Sequence, residues 1–347
     1  MKTALLITES SVYTNQKREL IVRGGGEMGM HILGKQLIKL GVKPMVFAIR
    51  EYVDQKEVEV IEGVYYKRFN VRSRTSLNLL RYLRAALRMS REVDFVFLNQ
   101  FVPHLLLPFL KCIRKIAIVH DVYGSFGFWI KQFGFFKGFF GYFVEKLQLR
   151  NDRKYADRIM AVSDYGKMQI AKFLGNEVLN KTVVNSWPLE SPKVFVAAIK
   201  KNNYALFVGR FVDYKNPEHA LLALKKIRFV YSDFKLKMVI SRIDEQVLGK
   251  FEKLRANLGF AESDIELIFD CSHRELYGLY AEAKILLHPS SVEGLGIVCL
   301  EALAHKTPVV AYDLPAYRGI LLHRKNAILA PLSDIENFSK GALEVLN

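Results

Sequence analysis

Residues 288–311 read HPSSVEGLGIVCLEALAHKTPVVA and carry the clearest structural pattern in the chain. An apolar run is followed by a turn that contains Glu293 and residues 294–296. A helical period then begins and places Glu301 in its second turn, before a second apolar run at 308–311. Strand, turn, helix and strand in this order are typical of a parallel sheet covered by helices.

The same alternation extends outward from this segment in both directions. The predicted strands are 3–8, 45–49, 95–98, 115–119, 158–162, 204–208, 236–240, 265–269, 285–287 and 308–311. The predicted helices are 27–40, 76–91, one after Ser163, 217–230, 245–258, 273–283, 296–304 and 335–346. A polar, proline-bearing stretch separates two series of elements. We therefore predict an α/β protein with two doubly wound parallel-sheet domains facing a cleft: 1–186, a linker 187–202, and 203–347.

The composition fits a globular protein with sizeable cores, because half of the 347 residues are hydrophobic and a quarter are charged. Three widely spaced cysteines without a C-x-x-C pair argue against a disulfide framework and a thiolate zinc site. The opening MKTALLIT is too short for a secretory core and is interpreted as a first strand. The apolar runs fall short of the roughly 20 residues that span a bilayer. We expect a cytoplasmic protein.

Positive charge is concentrated in one part of the chain. The first 200 residues contain 32 basic and 17 acidic side chains, and the remainder contains 19 and 18. Residues 67–91 carry eight basic side chains and no acid. Four of these recur at helical spacing and should share one helix face: Arg81, Arg84, Arg88 and Arg91. This asymmetry indicates an anionic partner for the N-terminal domain.

A second segment, 125–150, places ten aromatic residues among lysines. Aromatic rings beside amines suit the bilayer interface, so both segments together favour an anionic membrane surface at the inner face of the membrane. The alternative is that the arginines are merely solvated and the aromatics form core. Nucleic acid is not expected, since zinc-finger spacing and RNA-recognition signatures are absent from the sequence.

The turn at 294–296 precedes a helix, whose positive end favours a phosphate, and its glycines allow close approach of backbone amides. Glu293 and Glu301 can address different parts of one elongated ligand. They form an E-x7-E motif within EGLGIVCLEALA, which resembles the signature of family four retaining glycosyltransferases of the GT-B fold. The upstream run GRFVDYKNPEHALLAL, 209–224, is similar to that family's donor-phosphate segment.

The resemblance implies a nucleotide-diphospho-sugar donor, and a glycan or lipid-linked acceptor held by the N-terminal domain. It further implies that Arg210 and Lys215 bind the diphosphate, that Glu293 contacts the sugar, and that Glu301 holds the ribose. The distal phosphate would meet the backbone amides of Gly294, Leu295 and Gly296. Independently of the family, a departing diphosphate needs fixed cations, which Arg210 and Lys215 can supply. No D-x-D run is present, so neither a metal nor another cofactor is expected.

In the N-terminal half, Gly24, Gly26 and Gly29 satisfy G-x-G-x-x-G, but some fifteen residues separate them from the first strand. Because a dinucleotide site needs a tight turn there, a dehydrogenase is a remote alternative. The resemblance instead assigns Gly25 and Gly26 to a loop near the diphosphate or acceptor. It also assigns His120, at a predicted strand end, to a place beside the donor sugar, although a structural histidine is about equally compatible.

The sequence departs from the family pattern in two places. Asp270, Cys271 and Ser272 stand where relatives often carry a glycine near the base, which leaves the base open. The last predicted helix ends the chain where relatives run further, so the domain is expected to lack their returning helix. The leading prediction is a retaining, metal-independent hexosyltransferase. The alternatives are a sugar-nucleotide epimerase of the same fold and a non-catalytic nucleotide-sugar-binding protein.

Overall fold

The computed structural model describes residues 1–52, 54–70, 76–99, 101–187 and 200–347. The chain divides into two compact units, Met1–Pro188 and Leu189–Asn347. Most of the predicted linker 187–202 lies outside the described residues. Each unit is a parallel sheet with helices, as predicted.

The first unit is built on a sheet that is parallel except at one edge. Its strands, together with those of a small antiparallel ribbon (β2 and β3), are β1 (Thr3–Ile7), β2 (Tyr13–Thr14), β3 (Leu20–Ile21), β4 (Lys43–Arg50), β5 (Val58–Ile61), β6 (Val64–Asn70), β7 (Phe95–Asn99), β8 (Arg114–Val119), β9 (Arg158–Ala161) and β10 (Thr182–Val184). Its helices are α1 (Gly25–Lys39), α2 (Ser76–Met89), α3 (Phe101–His104), α4 (Phe126–Phe133), α5 (Phe135–Tyr155) and α6 (Asp164–Leu174).

The strand order of this sheet is β10-β9-β8-β7-β1-β4-β6-β5. From β1 the chain builds toward β5 on one side and then returns to build β7 to β10 on the other, so the switch point lies between β1 and β7. The antiparallel edge strand β5 was not predicted. It pairs with β6 across a tight turn at Glu62 and Gly63, whose φ angles of 47° and 85° are those of a hairpin turn.

The second unit contains an entirely parallel sheet in the order β13-β12-β11-β14-β15-β16. Its strands are β11 (Asn202–Phe211), β12 (Lys235–Ile243), β13 (Ile265–Phe269), β14 (Ala283–His288), β15 (Val309–Tyr312) and β16 (Ala327–Ala330). Its helices are α7 (Pro217–Val230), α8 (Glu245–Asn257), α9 (His273–Glu282), α10 (Ile297–Ala304) and α11 (Ile335–Leu346). The switch point lies between β11 and β14, because the chain builds outward from each in opposite directions.

The basic stretch 67–91 divides between the surface and the interior. The predicted arginine face is exposed: Arg81, Arg84 and Arg88 on α2, and Arg91 just after it. Between them Tyr82 and Ala86 pack into the core, as the helical period requires. Arg68 is instead fully buried, with its guanidinium hydrogen bonded to Ser11 and to backbone carbonyls and paired with Glu59. It therefore does not belong to the surface charge with which the sequence grouped it. Arg72 and Arg74 lie outside the described residues.

The aromatic segment forms a helical hairpin of α4 and the first half of α5. The expectation that these aromatics could form core is wrong for most of them, since many are exposed: Phe126, Phe133, Phe135, Phe136, Phe139, Phe140 and Phe143. Trp129 is buried between the two helices. None of the helices in the described part of the chain is long and apolar enough to cross a bilayer.

Candidate active site

The loops that follow β11 and β14 meet at the switch point of the second sheet. The backbone N–H of Ser291 donates to the carbonyl of Tyr214 at 2.8 Å, and the side-chain amide of Asn216 donates to the carbonyl of Pro289 at 2.8 Å. These bonds fix the start of α7 against the segment that leads into α10. Side chains from two distant parts of the sequence are thereby held at one edge of the sheet.

Three side chains form a connected group at this edge. Glu293 Oε1 accepts a short hydrogen bond from Lys215 Nζ and a second one from His288 Nε2 at 2.9 Å. Although burial by itself would raise the pKa of Glu293, the Lys215 charge and the His288 hydrogen bond hold it well below its ordinary value. Glu293 is therefore a carboxylate throughout the physiological range.

Arg210 lies beside this group through a shared neighbour, Tyr214. The Arg210 guanidinium donates to the Tyr214 hydroxyl and lies 5.5 Å from its ring centroid, and Lys215 Nζ lies 5.8 Å from the same centroid. Tyr214 is buried and so limits the freedom of both cations. We call Arg210, Lys215, His288 and Glu293 the charged cluster.

The turn at residues 294–296 leads directly into α10, as the sequence predicts. Gly296 has φ 73°, in the left-handed region, and a Cβ atom there would lie 2.5 Å from the ring of Tyr317. Glycine is thus required at this position for two reasons. Gly294 and Leu295 are also buried.

Glu301, the second acid of the E-x7-E motif, lies on α10 in a different setting. It is buried, and its Oε2 accepts a hydrogen bond of 2.9 Å from the hydroxyl of Tyr280 on α9. Burial raises the pKa of Glu301 to about 7, while the Tyr280 bond acts in the opposite direction. The two acids of the motif therefore differ in ionisation: Glu293 is fully charged and Glu301 titrates near neutrality.

At the switch point of the first sheet, the predicted residues His120 and Gly26 lie together with two residues that the sequence did not single out. His120 follows β8, and its Nε2 lies 2.5 Å from Oδ1 of Asn99, the last residue of β7. The Asn99 amide donates in turn to Thr8 Oγ1 at 3.1 Å, just after β1. A Cβ atom on Gly26 would lie 3.4 Å from His120 Nε2. We call Thr8, Gly26, Asn99 and His120 the uncharged cluster.

The partner of His120 fixes its tautomer. Because Asn99 Oδ1 can only accept, Nε2 carries the proton and Nδ1 is the acceptor. Burial lowers the pKa of His120 to about 4, with a smaller electrostatic contribution from His104 in the same direction. His120 is therefore a neutral imidazole at pH 7.

The last glycine of the pattern at 24–29 has a packing explanation. Gly25 and Gly26 form the first turn of α1, and Gly24 is its N-cap. A Cβ atom on Gly29 would lie only 2.3 Å from the indole of Trp187, so this glycine makes room for a tryptophan. The ribbon of β2 and β3 occupies the interval between β1 and α1.

The structure brings the predicted residues together in two groups, one per unit. Arg210, Lys215 and Glu293 converge, whereas Glu301 bonds to α9 rather than to them. The arginine face belongs to neither group. Sequence reasoning missed Thr8, Asn99 and His288 as members of these groups, and Tyr214 as the neighbour that Arg210 and Lys215 share. Asn99 and His288 each end a strand beside a switch point, and a polar strand end is the signal that could have found them.

Each half of the chain matches a known glycosyltransferase family. Residues 192–347 match the family "Glycosyl transferases group 1", and residues 23–184 match "Glycosyltransferase Family 4". The chain is 28% identical over 219 residues to the O-antigen chain mannosyltransferase RfbU of Salmonella typhimurium. The aligned region covers 63% of this chain and 57% of that protein. It is 28% identical over 178 residues to a phosphatidyl-myo-inositol mannosyltransferase of Mycobacterium leprae, covering 50% of this chain and 46% of the relative.

The chain thus spans about half the length of these two relatives. Among solved structures, the Anabaena protein HepE, crystallised in complex with UDP and glucose, superposes over 100% of this chain and 90% of its own. The TM-score is 0.75 at 14% identity, a likeness that supports the fold. Since the two family matches together account for nearly all of the sequence, this protein belongs to the family four, group 1 glycosyltransferases and has the GT-B fold of two Rossmann-like domains.

Proposed function

We propose that this protein is a retaining glycosyltransferase that transfers a hexose from a nucleotide-diphospho-sugar to a glycan or lipid-linked acceptor at the inner face of a membrane. The observation that carries this proposal is the charged cluster at the switch point of the second sheet, followed at once by the N-terminus of α10. Ligands of doubly wound sheets bind outside the carboxyl ends of the strands at such a point.

The charged cluster has the chemistry that a leaving diphosphate requires. Breaking the bond between the sugar and the nucleotide develops negative charge on the diphosphate, which fixed cations stabilise without reorganising. Arg210 offers a planar fork of donors and Lys215 a compact positive charge. Their shared contact with Tyr214 holds both before the reaction begins.

Glu293 gives the cluster a second role. As a permanent carboxylate it can accept hydrogen bonds from sugar hydroxyls while it continues to orient Lys215. Glu301 suits the ribose. Its pKa lies near neutrality, and in its ionised form it can accept hydrogen bonds from the ribose hydroxyl groups. Both roles agree with those that the E-x7-E resemblance implies.

The uncharged cluster suits a polyhydroxylated ligand. His120 presents a neutral ring whose Nδ1 is an acceptor, and the chain from Asn99 to Thr8 keeps the ring in one orientation. Neutral donors and acceptors bind sugar hydroxyls without the desolvation cost of a charge. We assign His120 to contact with the transferred sugar or the acceptor, and Gly25 and Gly26 to close approach of the α1 backbone.

Relatives support the substrate class. RfbU is named for action on the O-antigen chain and the Mycobacterium leprae relative for phosphatidyl-myo-inositol, while the HepE structure contains UDP and glucose. The UDP and glucose of HepE support a nucleotide-activated hexose as the donor, and the names of the two relatives support a glycan or lipid-borne acceptor. The basic N-terminal unit favours an acceptor presented on an anionic surface.

The test is transfer from a panel of nucleotide sugars to membrane extracts, followed by identification of the product. We expect release of nucleoside diphosphate coupled to glycosylation of the acceptor, with the anomeric configuration retained. Lys215→Ala should abolish transfer. Lys226→Ala is the matched control, because Lys226 also pairs with a glutamate, Glu336, but on the surface of the same unit.

Two other products would contradict the proposal. Epimerisation of the sugar while it stays joined to its nucleotide would identify an epimerase, and tight binding without turnover over a wide acceptor panel would identify a binding protein. We also expect transfer to persist in excess EDTA. Activity restored by Mg²⁺ or Mn²⁺ after chelation would contradict the metal-independent part of the mechanism.

A further inference from the structure

We propose that the hairpin of α4 and α5 inserts its exposed phenylalanines into the interfacial region of an anionic bilayer. The inference deepens the membrane part of the proposed function and rests on it for the nature of the acceptor. The insertion itself depends only on the exposed side chains of this hairpin.

The hairpin carries a large exposed apolar surface. On α5 the exposed side chains lie at spacings of one, three, four and eight residues, so they share one side of the helix. Together with their neighbours on α4 they form the phenylalanine face: Phe126, Phe133, Phe135, Phe136, Phe139, Phe140, Phe143 and Leu147. Monomeric proteins rarely expose a contiguous patch of this kind without a partner.

Charge around the face identifies the partner. No acidic residue occurs between Asp121 and Glu145, and Lys131 and Lys137 are exposed within the hairpin. Phenylalanine rings at acyl-chain depth with lysines at headgroup level are the arrangement of an interfacial helix. A second copy of the chain would fit poorly, because an isologous contact would place these lysines against themselves without an acid from this segment.

The two helices are joined rigidly enough to act as one element. A Cβ atom on Gly138 would lie 2.4 Å from the carbonyl oxygen of Trp129, and one on Gly141 would lie 2.4 Å from the Trp129 ring. The two glycines therefore allow α5 to touch the backbone and the indole of α4. The phenylalanines are left to point outward because the inner side is filled by Trp129.

A buried carboxylate ties the hairpin to the uncharged cluster. Glu145 accepts hydrogen bonds from Trp129 Nε1 at 2.9 Å and from the backbone N–H groups of Tyr123 and Gly124 at 2.8 and 3.1 Å. Residues 123 and 124 lie three and four positions after His120 in the chain. Insertion of the hairpin would therefore hold the loop after His120 at a fixed depth relative to the headgroups.

The arginine face lies in the same helical layer. Tyr82 and Ala86 of α2 belong to one core with Leu149 of α5, so both helices cover the same side of the first sheet. Apolar insertion by the hairpin and electrostatic attraction by the arginines can then act on one surface. Two signals of this kind, one apolar and one electrostatic, are what stable membrane attachment requires.

The experiment is co-sedimentation with vesicles of phosphatidylcholine, alone or with about 30 mol% phosphatidylglycerol. We expect Phe136→Ser combined with Phe140→Ser to weaken binding to the mixed vesicles at least about tenfold at every salt concentration, since these side chains are 85% and 72% exposed. The matched control is Phe229→Ser in the second unit, where the side chain is 94% exposed. Its binding should equal that of the wild type.

A second variant keeps the proposal testable if truncation harms folding. In Phe136→Trp, a ring replaces a ring at an exposed site, and its fluorescence should shift to shorter wavelength and be quenched by brominated lipid when mixed vesicles are added. Unchanged emission from vesicle-bound protein would overturn the proposal. So would wild-type binding by the double serine variant, or a dimer that the double variant converts to monomers while neither form binds vesicles.

These results are separable from the enzymology. The vesicle assay contains no nucleotide sugar, so its failure leaves the proposed transferase untouched. Conversely, Lys215→Ala should lose transfer and still bind vesicles as the wild type does. The double serine variant gives one more contrary outcome. If it bound vesicles as the wild type does but lost transfer even to a detergent-dispersed acceptor, the result would count against insertion of the hairpin.

Discussion

The two sheets place different chemistry at the same topological position. At the switch point of the first sheet, Thr8, Asn99 and His120 form a hydrogen-bonded series without charge. At that of the second, Lys215, Glu293 and His288 form an ion-paired group with Arg210 close by. Yet the first 200 residues carry nearly all of the net positive charge and the rest carry almost none.

The unit with the larger net charge thus has the uncharged cluster, which shows that surface charge and charge at the switch point serve different purposes. The excess of basic residues in the first unit is spread over its surface, for example in the exposed arginine face, and it concerns the partner that the surface meets. In the second unit basic and acidic residues nearly balance, and the largely buried ion pair of Lys215 with Glu293 lies where a reaction would build negative charge. Net charge therefore indicates the environment of a domain, and the strand ends indicate its chemistry.

The largest effect should come from the charged side of this comparison. Glu293→Gln leaves Lys215 without its carboxylate partner, and we expect kcat/KM for the nucleotide sugar to fall by about 10²- to 10³-fold. The control is Glu336→Gln, which removes a surface carboxylate paired with Lys226 and should leave the rate unchanged. Equal rates for the two variants would break the comparison.

A smaller effect is expected from the uncharged side. His120→Ala should lower kcat/KM for the acceptor by about 10- to 100-fold, because one oriented neutral contact is lost. The affinity for nucleoside diphosphate, measured by calorimetry, should stay at the wild-type value. A parallel loss of nucleotide affinity would mean that the two clusters do not divide the ligands as proposed.

The pH dependence of nucleotide binding sharpens the comparison within the second unit. Since the pKa of Glu301 is about 7, its carboxylate form increases between pH 6 and pH 8, and affinity for a nucleoside diphosphate should rise by up to about tenfold over that range. Tyr280→Phe removes a bond that lowers this pKa and should move the rise to higher pH. A flat profile in the wild type would contradict a role for Glu301 at the ribose.

The smallest effect concerns stability. The contributions of His120 and Glu301 to the free energy of unfolding should change in opposite directions as the pH falls. The pKa of His120 in the folded protein, about 4, lies below its ordinary value of about 6.5, so its contribution is present above pH 6.5 and is lost as the pH falls toward 4. The pKa of Glu301 is raised, so its contribution is present below pH 4.5 and is lost as the pH rises through 7.

Thermal unfolding from pH 4 to pH 8 tests this sign. His120→Gln should reduce the loss of Tm on acidification, and Glu301→Gln should reduce the loss of Tm toward pH 8, each by a few degrees, or about 1 kcal/mol. If both variants changed the Tm at the same end of the pH range, the two buried groups would not differ as their surroundings indicate.

Much of the fold was predictable because its signals are local. Buried parallel strands appear as apolar runs, and helices such as Pro217–Val230 and Ile335–Leu346 carry a clear 3.6-residue period, so their observed bounds equal the predicted ones. The E-x7-E spacing also placed Glu293 before a helix and Glu301 inside it. Local patterns cannot reveal strand order, however, and strand order is what brings Asn99 to His120 and His288 to Lys215.

Burial of charge was also beyond the sequence. Arg68 stands in a basic run and looks like its neighbours, but Ser11, Glu59 and two backbone carbonyls surround its guanidinium. The phenylalanines of the hairpin show the reverse case, because apolar residues in sequence are normally assigned to a core. For Arg68 the deciding partners come from distant parts of the chain, and for the phenylalanines the proposed partner lies outside it.

The close packing of α4 on α5 has a consequence for how this segment can vary. Gly138 and Gly141 have no space for even a methyl group, whereas Phe136 and Phe140 are largely exposed. A library of random substitutions should therefore tolerate leucine or methionine at Phe136 and Phe140 and reject alanine at the two glycines. In this hairpin the least tolerant positions are those of the smallest residues.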